Sequence, residues 1–300
     1  MASAACQIVI HFGGSAFAVA GAHERGTAMK KILLPVESNT TFNAAFAVAD
    51  LLGARFASQI DGVALKPGVI TFVTADPVVV LVSQPASTDA ETEKSARALF
   101  DKLNAGRTPP GKAVFKWRDG GAIDDNGLSS LSRAYDITIV GRPGLKQSEP
   151  RMTTLEVALF ESGRPILMAP PQASKTLGTN ILVHWNASNE TARAINDAMP
   201  LLRQAEQVTM VTVEGAMVPG PKAADMLDYL AAHGIRGIES KVKPAAKSST
   251  GEAILAEARR LGADLLIKGA YTQSRLRQMI FGGATQHILQ SADIPVMLSH

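Results

Sequence analysis

Two segments of this 300-residue chain place a glycine directly after an apolar run and ahead of a helix-like stretch. They read VGRPGLK at 140–146 and KGAYTQSRLRQMIFGGATQ at 268–286. A strand that ends in glycine and feeds a helix gathers unpaired backbone N–H groups and the positive end of a helix dipole at one point. That combination suits an anion such as phosphate. Gly269, Gly282, Gly283 and the hydroxyl of Thr285 mark such a point in the second segment, Gly141 and Gly144 in the first. Lys268, Arg275 and Arg277 add positive charge to the second. Arginine takes phosphate oxygens bidentately. The plainer reading makes the two arginines solvated loop residues and has Lys268 neutralise Asp264 or another nearby carboxylate.

Other chemistry is thinly represented. His184, His233, His287 and His300 show no pairing of metal-ligand spacing, so no metal site is expected beyond magnesium accompanying a nucleotide. No Gly-x-Ser-x-Gly elbow occurs, and GRPGLKQ lacks both the spacing and the Lys-Ser/Thr ending of a Walker loop. Trp117 and Trp185 read as packing residues, with Trp185 also placed to flank a base beside Asn186. The 30 basic and 27 acidic residues leave a net charge of +3 and are interleaved, which argues against a nucleic-acid surface. Cys6 is the single cysteine, so no disulfide framework exists within the chain and a reducing cytoplasm fits.

The elements that must hold these residues repeat. KKILLPVESNTTFNAAFAVADLLGA from Lys30 and TNILVHWNASNETARAINDAMPLLR from Thr179 are each an apolar run, a polar break and a helix with small and apolar residues at three and four. Capping residues are expected at Thr40 or Thr41 and at Ser188 or Asn189. YDITIVGRPGLKQ matches ADLLIKGAYTQS, and ALFESGRPILMAP matches HILQSADIPVMLS. Gly141 and Pro165 are 24 residues apart, Gly269 and Pro295 26, so the register holds. Continuous Ile/Leu/Val runs mark strands buried on both faces, and their alternation with helices predicts right-handed βαβ units in a doubly wound sheet. In the second half the pattern predicts strands at 180–186, 207–213, 235–243, 264–268 and 294–298. Helices are predicted at 189–203, 222–233, 249–262 and 282–292. The stretch KPGVITFVTADPVVVLVSQPAS carries three prolines and predicts an insertion in the first half.

The order and character of both halves resemble the universal stress protein family in its tandem form, over roughly residues 29–300. The resemblance implies two flavodoxin-like α/β domains, each a five-stranded parallel sheet of order 3-2-1-4-5 flanked by helices. It divides the chain into a disordered leader or over-extended start at 1–28, a first domain at 29–172, a linker at 173–178 and a second domain at 179–300. It also implies that the terminal strands of the two copies pair across a pseudo-twofold axis, here within one chain, with a homodimer of such chains as a further step. The two copies are expected as separate units standing back to back.

Members of that family that bind ATP carry an acidic residue after the first strand and a loop written G-x2-G-x9-G-(S/T). Carried onto this sequence, the second half keeps Gly269 and Gly282, has Thr272 at the middle position and Gly283 in place of the hydroxyl residue, with Thr285 two residues on. Its acidic position is Asn186, followed by Ser188. Thr at a position requiring positive φ costs about 1–3 kcal/mol. Asn186 loses a charged acceptor but keeps a neutral one for a ribose. The first half keeps Glu37, Gly141 and Gly144 and has Thr154-Leu155 at the third position. The first site is thus the more degenerate.

The expected function is that of a cytoplasmic stress-response regulator binding ATP or another adenine nucleotide weakly in its second half, without turnover. A scaffold or interaction module with both cradles decayed is the alternative, and a slow ATPase the third reading. No nucleic acid and no membrane are expected as partners.

Overall fold

The computed structural model describes residues 28–66, 70–73, 80–83, 88–107, 112–146, 148–246, 248–270 and 283–300. The leader expected at 1–28 lies, but for Ala28, outside the described residues.

The first half runs β1 (Lys31–Val36), α1 (Phe42–Phe56), β2 (Gln59–Ala64), β3 (Ile70–Val73), β4 (Val80–Ser83), α2 (Asp89–Ala105), β5 (Val114–Trp117), α3 (Asp125–Ser132), β6 (Ile137–Gly141), α4 (Met152–Phe160) and β7 (Ile166–Ala169). The second runs β8 (Asn180–His184), α5 (Asn189–Asp197), α6 (Met199–Leu202), β9 (Gln207–Val213), α7 (Ala223–Ala232), β10 (Ile238–Val242), α8 (Thr250–Leu261), β11 (Leu265–Gly269), α9 (Gly283–Ser291) and β12 (Val296–Ser299). The single helix expected at 189–203 is two, because Pro200 in the first turn of α6 supplies no N–H to continue the ladder of α5. Within the expected insertion, β3 and β4 pair antiparallel as a separate two-stranded sheet.

The main sheet has the order β10-β9-β8-β11-β12-β7-β6-β1-β2-β5 among the described residues. Each half therefore keeps the 3-2-1-4-5 order, with parallel pairing throughout. The halves meet through β7 and β12, which run antiparallel with Leu167 opposite Met297. This seam makes one continuous ten-stranded sheet, rather than two units standing apart. All four residues of each seam strand are buried, which is why these apolar edges pair instead of facing water.

Strand alternation sorts the apolar residues onto two faces. Ile32, Leu34, Ile181, Val183, Leu265 and Ile267 join a core with α1, α2, α5, α6 and α7. Leu33, Leu182 and Leu266 face the other way into a core with α3, α4, α8 and α9. Both cores draw on both halves, so the seam is continuous with the interior on each side. No described helix is long and apolar enough to cross a membrane.

Candidate functional site

In open α/β sheets a crevice forms beyond the carboxyl ends of the strands where the winding reverses. Here those points are β8 beside β11 and β1 beside β6.

At the β8–β11 point the chain leaves His184 and turns through Trp185, Asn186 and Ala187 into α5. Ala187 adopts the left-handed conformation, φ 67°, which allows Ser188 N–H to return to Asn186 Oδ1 at 3.2 Å. Ser188 then caps α5, its hydroxyl accepting Thr191 N–H at 3.3 Å. The hydroxyl of Thr191 lies 2.9 Å from Ser188 O and 3.1 Å from Asn186 Oδ1. Gly269, at the end of β11, abuts this turn, for a Cβ there would stand 2.4 Å from Thr191 N. Only glycine lets the strand tip approach the N-terminus of α5 so closely. On the far side α9 begins at Gly283, where an added Cβ would meet nothing within 4 Å among the described residues, and Thr285 follows, buried.

The structure thus brings Asn186, Ser188, Gly269, Gly283 and Thr285 to one end of the second half. Thr272, Arg275 and Gly282, like Arg277, lie outside the described residues. Thr191 was not singled out from the sequence, although its place three residues after the capping Ser188 is a signal for it.

Two expectations are corrected. Lys268 does not neutralise Asp264, whose carboxylate accepts the N–H groups of Thr179 and Asn180. Lys268 shares the face of Leu266, so its ammonium is buried and donates to Gly269 O at 2.7 Å and to Thr285 Oγ1 at 2.8 Å. Burial lowers its pKa to about 8, with Glu190 pulling the other way. His184, on the adjacent strand, is buried on the same face; burial and the neighbouring Lys268 push its pKa down to about 3. Both of its ring nitrogens lack a hydrogen-bond partner among the described residues. The second correction concerns Trp185, which is 1% exposed, joins the opposite core and donates its indole N–H to Pro221 O at 3.1 Å. It packs and does not flank the crevice.

The first half closes on itself. Glu37 follows β1 as expected, but its carboxylate is taken by Arg151 Nε at 3.2 Å, by the hydroxyl of Thr154 and by Asn39 Nδ2 at 3.3 Å. Arg151 also binds Asp125 through both terminal nitrogens, at 2.9 and 3.3 Å. Thr154 sits inside α4, its side chain committed to Glu37. Gly141 is filled by Pro150, 2.5 Å from an ideal Cβ, and Gly144 by the Glu149 carboxylate, which accepts Lys146 N–H at 2.9 Å. Of the two threonines expected to cap α1, Thr41 holds the position without a side-chain capping bond, and both its N–H and its hydroxyl turn back to Asn39 Oδ1, at 3.0 and 3.2 Å. Arg151 is not signalled in the sequence, because nothing local announces a partner more than a hundred residues away, here Glu37.

Comparison with known proteins follows these lines. Residues 178–300 match the model of the universal stress protein family. A 47-residue stretch is 36% identical to the stress response protein NhaX of Bacillus subtilis (strain 168), covering 16% of this chain and 28% of that protein. The chain thus spans less than a third of the length of the curated relative it matches. The crystal structure of a universal stress protein from Archaeoglobus fulgidus DSM 4304 superposes with a TM-score of 0.64 at 17% identity, over 90% of this chain and 97% of that one. A functionally unknown protein from Pseudomonas aeruginosa PAO1 superposes with a TM-score of 0.51 at 13% identity, over 92% and 94%. At such identities the likeness is one of fold. The second half, residues 178–300, thus matches the universal stress protein family, and nearly the whole chain shares the fold of such a protein.

Proposed function

We propose that the second half binds an adenine nucleotide weakly at the β8–β11 crevice, without turnover, and that the first half serves as structure. The observation that supports this is the contrast between two equivalent points of one sheet. In the second half a capped turn, a glycine in close approach and a helix start at Gly283 that no described side chain covers stand together. In the first half the acidic residue, the loop glycines and the following helix satisfy one another through Glu37, Arg151, Thr154 and Glu149. A helix N-terminus such as that of α9 favours an anion through its N–H groups and dipole, and no described side chain stands over Gly283.

Gly283→Asp tests this. The substitution meets nothing within 4 Å among the described residues, and a carboxylate in the first turn of a helix favours the fold, yet it repels phosphate. Calorimetric titration with ATP, ADP and AMP is expected to give binding to the unaltered protein and none to the variant, with no loss in thermal stability. Binding that survives Gly283→Asp places the nucleotide elsewhere. Phosphate release above background and lost in the same variant would make the protein an ATPase. Absence of binding at millimolar nucleotide favours the alternative of an interaction module.

A further inference from the structure

The family pattern has an acidic acceptor where this chain has Asn186, and the geometry of the turn decides what that amide can offer. Ser188 N–H can only donate, so the Asn186 atom facing it at 3.2 Å is the carbonyl oxygen. The hydroxyl of Thr191, 3.1 Å away, lies against the same oxygen. Ala187 is held left-handed between these residues and its carbonyl is packed on Gly220, 2.8 Å from an ideal Cβ there. The turn cannot rotate to exchange the two ends of the amide without giving up the Ser188 bond. Asn186 is half-exposed, and its Nδ2 makes no hydrogen bond among the described residues.

We infer that Asn186 inverts the polarity of this position: it presents a donor to the crevice and selects a ligand whose sugar oxygen accepts. A carboxylate at this place would demand a hydroxyl that donates. The amide of Asn186 is indifferent to whether the sugar oxygen still carries its hydrogen. The inference rests on the nucleotide reading above, and it changes what that site should discriminate. With phosphates at the α9 start, the group reaching the tip of β8 is the ribose, whose hydroxyl oxygens accept as readily as they donate. An ether oxygen only accepts.

The experiment is calorimetric titration of the full chain with ATP and with its 2′-O-methyl and 3′-O-methyl ethers. Three proteins are compared: unaltered, Asn186→Asp and Asn186→Ala. The alanine variant, which has no polar atom there, measures what the methyl group costs by bulk. The expected result is an ether-to-ATP ratio in the unaltered protein within fivefold of the alanine value for both ethers. In Asn186→Asp, one ether should be weakened more than fivefold beyond it. Asn186→Asp retains an oxygen for Ser188 N–H and so keeps the turn. Should the alanine variant fail to fold, the ratio in Asn186→Asp divided by that in the unaltered protein decides on the same fivefold margin. The inference is overturned if the unaltered protein itself discriminates more than fivefold, or if the aspartate variant does not. Failure of ATP to bind the unaltered protein at all would overturn the nucleotide reading, and the inference with it.

Discussion

The ammonium of Lys268 lies 2.8 Å from the hydroxyl of Thr285, joining the end of β11 to the first turn of α9 inside the protein. Both of its hydrogen-bond partners among the described residues, Thr285 Oγ1 and Gly269 O, are neutral. A buried cation served only by neutral acceptors is expensive, and a helix start is the wrong end of the dipole for it. Burial accordingly brings its pKa from 10.5 to about 8, against the pull of Glu190.

That shift has a direction in stability. The unfolded chain holds a proton on this amine up to about pH 10.5 and the folded chain only to about 8, so unfolding takes up a proton between them. Stability is therefore expected to rise as pH goes from 8 to 10.5, by about 3 kcal/mol from this residue. Lys268→Met, which fills the space without a charge, should be more stable than the unaltered protein at pH 7. It should also lose that alkaline rise. Urea denaturation at pH 7, 8.5 and 10 checks both; a variant less stable at pH 7 would show that Lys268 has a compensating partner.

His184 works at the acid end. Its folded pKa of about 3 lies below the ordinary 6.5, so the unfolded state binds the extra proton and stability is lost as pH falls from 6.5 towards 3. His184→Leu should flatten the curve in that window while leaving stability above pH 7 unchanged or higher. Denaturation midpoints at pH 4 and 7 make the comparison, and equal slopes for both proteins would contradict it.

Ala57 ends α1 in the left-handed conformation, φ 49°, and is exposed. Glycine is the usual residue at such a helix end. Ala57→Gly is expected to raise stability by about 0.5–1 kcal/mol, seen as an increase in Tm. A fall in Tm would mean that the turn is not held at positive φ in solution.

Arg151 closes the first half by binding Glu37 and Asp125 together, with its side chain about 23% exposed. Arg151→Ala removes the cation shared by the two carboxylates, and a loss of about 1–3 kcal/mol is expected. Because the second crevice lies across the seam, nucleotide affinity there should be unchanged, which separates the two halves in one titration. Weakened binding in this variant would show that the first half takes part.

The element order, the repeat and the glycines at the strand tips were legible from local pattern, because unbroken Ile/Leu/Val runs such as ILLPV and LLI can only be strands covered on both faces. The break between α5 and α6 was legible as well, since Pro200 states it, though the helix was drawn through it. Cap positions were readable: Ser188 caps α5 as expected, whereas Thr41 holds the cap position of α1 without a capping side-chain bond.

By itself, the sequence determined the secondary structure, the two-copy plan and which residues arrive at the carboxyl ends of the strands. All of these follow from periodicity over a few residues. The tertiary structure decided what those residues do on arrival. It turned Lys268 inward onto Thr285, tied the Asn186 oxygen to Ser188 and gave Glu37 to Arg151, 114 positions away. It also fused the two halves through Leu167 and Met297 into one sheet. Hydrogen-bond partners and desolvation depend on which side chains meet in space, and no short stretch of chain encodes that.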